Sequence, residues 1–304
     1  MTLATLDGLE VFFGDANNAE ARIYARLPSE MAPAGAKLAG RVVGPSCTRA
    51  QTLSAATRLT PKPSPAGEAA TATDLLAEAI VPDPCFWSPE LPFLYRVEVE
   101  LRRGDELLAA GECSLGIRPL GARSRSLLLE GRLWVVRAVE QAGLPPSDLK
   151  DWRAADLAMV VESPSDDLCG EASRQGAWIV AQTAGDAEQL AAELRRLARW
   201  PCVALVVLEA GAKLPEAARR TPSNLLLARH FGPGVAVESA EWADAVVCED
   251  SDLARLAERS DGISLPVIAR QVGRWHDDLA AARRACDELQ RSLAGRGEFV
   301  GYLV

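Results

Sequence analysis

Up to about Leu120, apolar and polar residues alternate along the chain, as in "ARIYARL", "RVVGPS" and "LYRVEVELRRGDELLAAGECSLGIR", with Pro-, Gly- and Ser-bearing segments between. A period of two sends successive side chains to opposite faces of a strand, so this pattern predicts antiparallel β-structure with one buried face. Within Leu94 to Leu101, Leu94, Arg96, Glu98 and Glu100 share one face, while Tyr95, Val97, Val99 and Leu101 share the other. "RRGDE" then turns the chain into a partner strand. The expected product is a β-sandwich of about seven short strands. "TPKPSPAGEAATATD", Thr60 to Asp74, is expected to be a mobile loop.

Beyond Leu120 the period changes. Eight short apolar runs follow: Leu133 to Val139, Leu157 to Glu162, Ala177 to Gln182, Cys202 to Glu209, Asn224 to Phe231, Ala243 to Asp250, Leu265 to Gln271 and Phe299 to Val304. Helical stretches separate them, clearest at Asp186 to Trp200 and Asp277 to Ala294. In the second of these, Leu279, Ala282, Cys286, Leu289 and Leu293 recur at steps of three and four and form one stripe. The first opens with Asp186 and Gln189, a capping pair, and ends before Pro201. Apolar strands alternating with amphipathic helices argue for a parallel sheet, and eight units argue for closure into a (β/α)8 TIM barrel. The chain left after Leu133 is shorter than the roughly 200 residues usual for that fold. The barrel is therefore reduced, with helices shortened or missing, most obviously between Phe231 and Ala243.

Composition narrows the function classes. With 304 residues, 48% of them hydrophobic, the chain can bury a full core. A formal charge of -9 and the lack of any Lys/Arg block exclude an electrostatic footprint for nucleic acid or an anionic membrane. Cys47, Cys85, Cys113, Cys169, Cys202, Cys248 and Cys286 occur singly, without CxxC pairs or zinc-ligand spacing, and read as buried thiols of a reducing compartment. The amino terminus lacks the basic start and apolar run of a secretion signal, and no segment is long enough to span a bilayer. A cytoplasmic protein is expected. No metal or other cofactor is predicted, since Gly-rich phosphate motifs and metal-ligand spacings are absent. The oligomeric state is left open.

"FWSPELPFLYRVEVELRRGDELLAAGECSLGIRPL", Phe86 to Leu120, resembles the end of the immunoglobulin-like domain of glycoside hydrolase family 2, where W-S-P-E-x-P-x-L-Y precedes two strands and an F-G-x-R turn. "LLLEGRLWVVRAVE" is similar to that family's approach to barrel strand one, with Arg137 on its Arg, and "EASRQGAWIVAQ" is similar to strand three. The resemblance implies an immunoglobulin-like β-sandwich over residues 1–120, followed by a reduced (β/α)8 barrel over 121–304. The family's usual sugar-binding jelly roll has no counterpart in this reading.

The resemblance also implies where retaining hydrolysis would be performed, by two carboxyl groups about 5 Å apart. Laid on the strand-four motif H-P-S-x-x-x-W-S-x-G-N-E, Trp200 to Gly211 puts Ala210 on the Asn and Gly211 on the acid/base. Laid on the strand-seven motif K-P-x-x-x-x-E-x-G, "LPVIARQVG" puts Gln271 on the nucleophile and Gly273 on the Gly. Glycine carries no proton to donate, and an amide forms no glycosyl ester. The strand-two Arg and His fall near Met159 and Glu162. A one-residue bulge would rotate Glu209 into the mouth instead.

Glu140, Glu162, Gln182, Glu209, His230, Glu249, Asp250 and Gln271 all fall at carboxyl ends of predicted strands, the face on which barrels place their sites. With Arg137 they form the candidate ligand-binding set, though strand ends also turn polar simply on leaving a core. His230 and His276 have no nucleophile-triad spacing. Trp134, Trp152, Trp178, Trp242 and Trp275 are packing residues or a sugar-stacking platform. Three readings remain open. The first is a non-catalytic pseudoenzyme that binds a carbohydrate or a protein partner. The second is an active glycosidase with relocated acids among Glu162, Glu209, Glu249 and Asp250. The third is a structural or assembly protein with a filled barrel mouth.

Overall fold

The computed structural model describes residues 6–62, 74–140, 148–209, 211–214, 225–231, 242–253, 265–272 and 278–304. They form two compact units that divide at Ile117 and Arg118.

The first unit has seven antiparallel strands: β1 (Glu10–Ala16), β2 (Glu20–Leu27), β3 (Lys37–Ser46), β4 (Ala55–Lys62), β5 (Leu75–Pro82), β6 (Leu94–Arg103) and β7 (Glu106–Leu115). Their order is β1-β2-β5-β4-β3-β6-β7. Strand β4 passes between two layers. Its Gly44-facing half, Ala55 to Leu59, pairs with β3, and Thr60 to Lys62 pair with β5. Thr60, Pro61 and Lys62, expected in a loop, are therefore strand, and the part of that loop spanning 63–73 lies outside the described residues. The alternation in β6 has the predicted consequence: Tyr95, Val97, Val99 and Leu101 are buried, beside Ile23, Leu27, Leu38 and Leu59.

The Trp87 motif locks the approach to β6. Trp87 is buried and donates its N–H to the Ile117 carbonyl at 2.8 Å. Ser88 Oγ accepts from the Leu91 N–H at 3.1 Å, closing the tight turn through Pro89. The Tyr95 hydroxyl accepts from the Cys85 N–H at 2.8 Å. Burial pushes its phenol up to about 12.

The second unit opens with a three-stranded antiparallel sheet, β8 (Leu120–Arg123), β9 (Ser126–Leu129) and β10 (Arg132–Trp134). Leu133 thus pairs with Leu128 rather than starting the barrel, a correction of the expected first run. The period misled because β10 and the first barrel strand are separated only by Val135, so two strands read as one apolar run. The barrel is closed and parallel: β11 (Val136–Glu140), β12 (Ala158–Glu162), β13 (Trp178–Thr183), β14 (Val203–Leu208), β15 (Leu226–Phe231), β16 (Ala245–Glu249), β17 (Val267–Arg270) and β18 (Gly301–Leu303). Described helices are α1 (Leu149–Ala154), α2 (Asp166–Gln175), α3 (Ala187–Ala198) and α4 (Leu279–Leu293). The Asp186–Gln189 capping box is present on α3, and Ala282, Cys286, Leu289 and Leu293 of α4 are buried as their spacing predicts. The connection between Phe231 and Ala243 lies almost wholly outside the described residues.

Arg118 lies at the amino-terminal end of the barrel. It is 1% exposed. One of its Nη groups donates to the Pro201 carbonyl, the other to the Val203 carbonyl at 2.9 Å, and the guanidinium sits 5.2 Å from the ring centroid of Trp178. Burial pushes this side chain down to about 9. Trp178 also packs on Trp134, centroids 5.3 Å apart. Cys169, Cys202, Cys248 and Cys286 are buried thiols, as read; Cys47, Cys85 and Cys113 are only half-buried. Among the described residues, no helix is long and apolar enough to cross a membrane.

Candidate active site

Parallel pairing brings the polar strand ends to common levels. Glu162 on β12 is in register with Gln182 on β13, and Gln182 with Val207 on β14. The alternation of a strand then returns Glu209, two residues past Val207, to the same side. Strand β14 holds one extra residue against β13: Ile179 pairs with Val203, but Val180 already pairs with Leu205. That skip at Ala204 is a one-residue bulge of the kind that would turn Glu209 inward. On the opposite wall, Glu249 of β16 is in register with Arg270 of β17.

These ends enclose a cavity of about 300 Å³, lined by Glu162, Gln182, Thr183, Ala184, Val207, Leu208, Glu209, His230 and Arg270. Arg270 was not among the residues the sequence singled out. Its guanidinium donates through Nε to Glu140 Oε1 at 2.8 Å and through Nη2 to the same oxygen. Its Nη1 lies 3.3 Å from His230 Nε2. A guanidinium has no acceptor, so Nε2 takes the hydrogen bond and the ring proton resides on Nδ1. Glu249 Oε1 stands 3.7 Å from the same nitrogen. Burial, and after it the charge of Arg270, push the His230 pKa below 6.5; Glu249, Asp252 and Glu140 pull the other way and lose. The imidazole is neutral at pH 7.

The sign of the resulting pH dependence follows. The unfolded ring takes up a proton at a higher pH than the folded one, so stability is fully present above about 6.5 and falls as pH drops below it. His230→Gln is expected to flatten the decline of melting temperature between neutral pH and pH 5 relative to the native chain, measured by circular dichroism. An unchanged slope in the variant would place the acid sensitivity elsewhere.

Other candidates fall outside the cavity. Gln271 donates its amide to Asp250 Oδ2 at 3.4 Å, and its backbone N–H to the Leu303 carbonyl at 2.9 Å. Neither side chain is among those lining the cavity. Gly211 is exposed, and a Cβ added there meets nothing within 4 Å. Arg137 departs from the expected ligand set: it is held by Gln290 Oε1 at 3.1 Å, with Asp287 at 3.6 Å and Asp156 at 3.9 Å, against helix α4. It lies three positions from Glu140 on one strand, an odd offset, so the two point to opposite faces. Of the tryptophans read as packing residues or a stacking platform, Trp134, Trp152 and Trp178 are not among the residues lining the cavity. Trp152 is buried on α1, and Trp178 opens β13 at the far end of the barrel from the cavity. Trp242 precedes β16 and does not line the cavity either. Trp275, His276, Gly273 and Ala210 lie outside the described residues. Among the described residues no group of three His, Cys, Asp or Glu side chains is placed to hold a metal ion.

Comparison with known proteins places the chain in context. Residues 15–118 match the family described as glycosyl hydrolases family 2. A β-galactosidase of Klebsiella pneumoniae is 37% identical over 109 residues, which cover 35% of this chain and 10% of that protein. Among solved structures, a family 2 glycosyl hydrolase from Bacteroides cellulosilyticus superposes with a TM-score of 0.66 at 14% identity, over 97% of this chain and 44% of its own. A β-glucuronidase from Bifidobacterium dentium, solved with coumarin-3-O-glucuronide, gives a TM-score of 0.62 at 14% identity, over 97% of this chain and 59% of its own. The chain thus spans a small part of the curated relative and less than two thirds of these structures.

Proposed function

We propose, from the match of residues 15–118 to the glycosyl hydrolases of family 2, that the chain is a non-catalytic member of that family that binds a carbohydrate at the carboxyl end of its barrel. The observation that carries this reading is the end of β17. Arg270 enters the cavity there bound to Glu140, and the following residue is an amide joined to Asp250. A retaining mechanism needs an attacking carboxylate at that place and a proton donor about 5 Å away. Gly211 supplies no donor. The lining sets hydroxyl, amide, carboxylate and imidazole groups beside Ala184, Val207 and Leu208, which suits the hydroxyls and the apolar C–H surface of a sugar. An open cavity weighs against a filled barrel mouth, and its small size suits a sugar better than a protein surface.

The bulge in β14 favours a second reading, an active glycosidase with relocated acids, because Glu209 and Glu162 line one cavity. Against it, the two rise from strands separated by one neighbour, roughly 10 Å between backbones, instead of flanking a bond from opposite walls.

One experiment separates these readings. Calorimetric titration with methyl glycosides, alongside hydrolysis of the matching nitrophenyl glycosides, is expected to give saturable binding with release of nitrophenol at the buffer rate. A working glycosidase accelerates such reactions by about a million-fold or more, so the difference is unmistakable. Turnover abolished by Glu209→Gln or Glu162→Gln would establish the second reading in place of the first. Absence of any binding or turnover would leave the structural role.

A further inference from the structure

The cavity contains one lining cation among the described residues, Arg270, and that cation is already engaged. Its Nε and Nη2 both donate to Glu140, and its Nη1 is directed to a neutral His230. Glu162 and Glu209 line the same space with no cationic partner among the described residues. Resting on the sugar-binding reading above, the geometry points to a cavity that selects uncharged sugars and rejects uronates, with Glu140 as the residue that sets this preference by withholding Arg270.

The physical argument is a balance of charges. A uronate carboxylate entering the cavity would meet Glu162 and Glu209, and the one guanidinium among the described lining residues is already paired with Glu140. Like charges several ångströms apart in a partly desolvated site raise the free energy of the complex. The hydroxyls of a neutral sugar carry no such penalty. They find acceptors in both glutamates and a donor and acceptor in Gln182, which stands level with Glu162. An arginine at a strand end would ordinarily suggest a carboxylate-binding site. Its pairing with Glu140, made through the edge that would clamp a ligand carboxylate, reverses that expectation.

The test compares methyl β-D-galactopyranoside with methyl β-D-glucuronide on the full chain, by calorimetry or ligand-observed NMR. The neutral glycoside is expected to bind at least about tenfold tighter, with the gap narrowing as salt is added. In Glu140→Gln the freed guanidinium is expected to narrow the gap or invert it. Equal or tighter binding of the glucuronide by the native chain would overturn the charge preference while leaving carbohydrate binding intact. Binding of neither sugar would overturn carbohydrate binding, and the preference with it. The native comparison decides the matter even if the variant fails to fold.

Discussion

Gly40→Ala is expected to destabilise the amino-terminal sandwich by about 3 kcal/mol or more, among the larger effects a single methyl group can have. Gly40 lies in β3 opposite Val99 of β6, within the continuous ladder from Lys37 to Val43. Its φ is +151°, outside the range that L side chains readily adopt, and a Cβ there would collide with the Glu98 carbonyl oxygen. The obstacle is backbone, not a side chain that can swing away. Relief requires β3 and β6 to part, which costs their ladder hydrogen bonds and loosens Leu38, Val42, Val97 and Val99 in the core. Differential scanning calorimetry of the full chain checks this: the sandwich transition should fall by many degrees while the barrel transition holds. Native-like melting of Gly40→Ala would mean that the two strands are further apart than the structure places them.

Arg118→Ala is expected to cost the barrel about 3–5 kcal/mol, through lost charge-assisted hydrogen bonds and the cavity left behind. The Pro201 and Val203 carbonyls would lose their donor at the foot of β14, and the Trp178 ring would lose the cation against its face. Arg118→Lys is expected to recover only part of the loss, because a compact ammonium does not span two carbonyls as a planar fork does. Calorimetry should show the barrel transition lowered in both variants, more in Ala. Equal and small shifts would show that the guanidinium geometry matters little.

These two positions also mark where reading the chain as a string stops. Arg118 was visible only as the last letter of a turn motif, and Gly40 as one of many glycines. What makes each indispensable is a partner more than fifty residues away. By contrast, the eight apolar runs, the β6–β7 hairpin and the Asp186 cap were legible, because each rests on periodicity or on contacts within a few residues. Leu133 shows the limit of periodicity, since adjacent strands of two different sheets merged into one apolar run.

The site was legible in part. Strand ends predicted the cavity-lining residues Glu162, Gln182, Glu209 and His230, because a parallel barrel always brings its carboxyl ends to one face. Arg270 was passed over in favour of its neighbour Gln271. In a strand, adjacent residues face opposite ways, and only the ladder says which of the two looks inward.

The sequence by itself determined the kinds of element, their order and the absence of carboxylates at positions 211 and 271, since these depend on local pattern and residue identity alone. Tertiary structure alone decided that Glu209 reaches the cavity through a bulge in β14, that Arg137 turns away toward α4, and that Glu140 holds Arg270. Those outcomes depend on strand register and on charges that meet only when distant segments close into a barrel, and a single residue of slip reverses them.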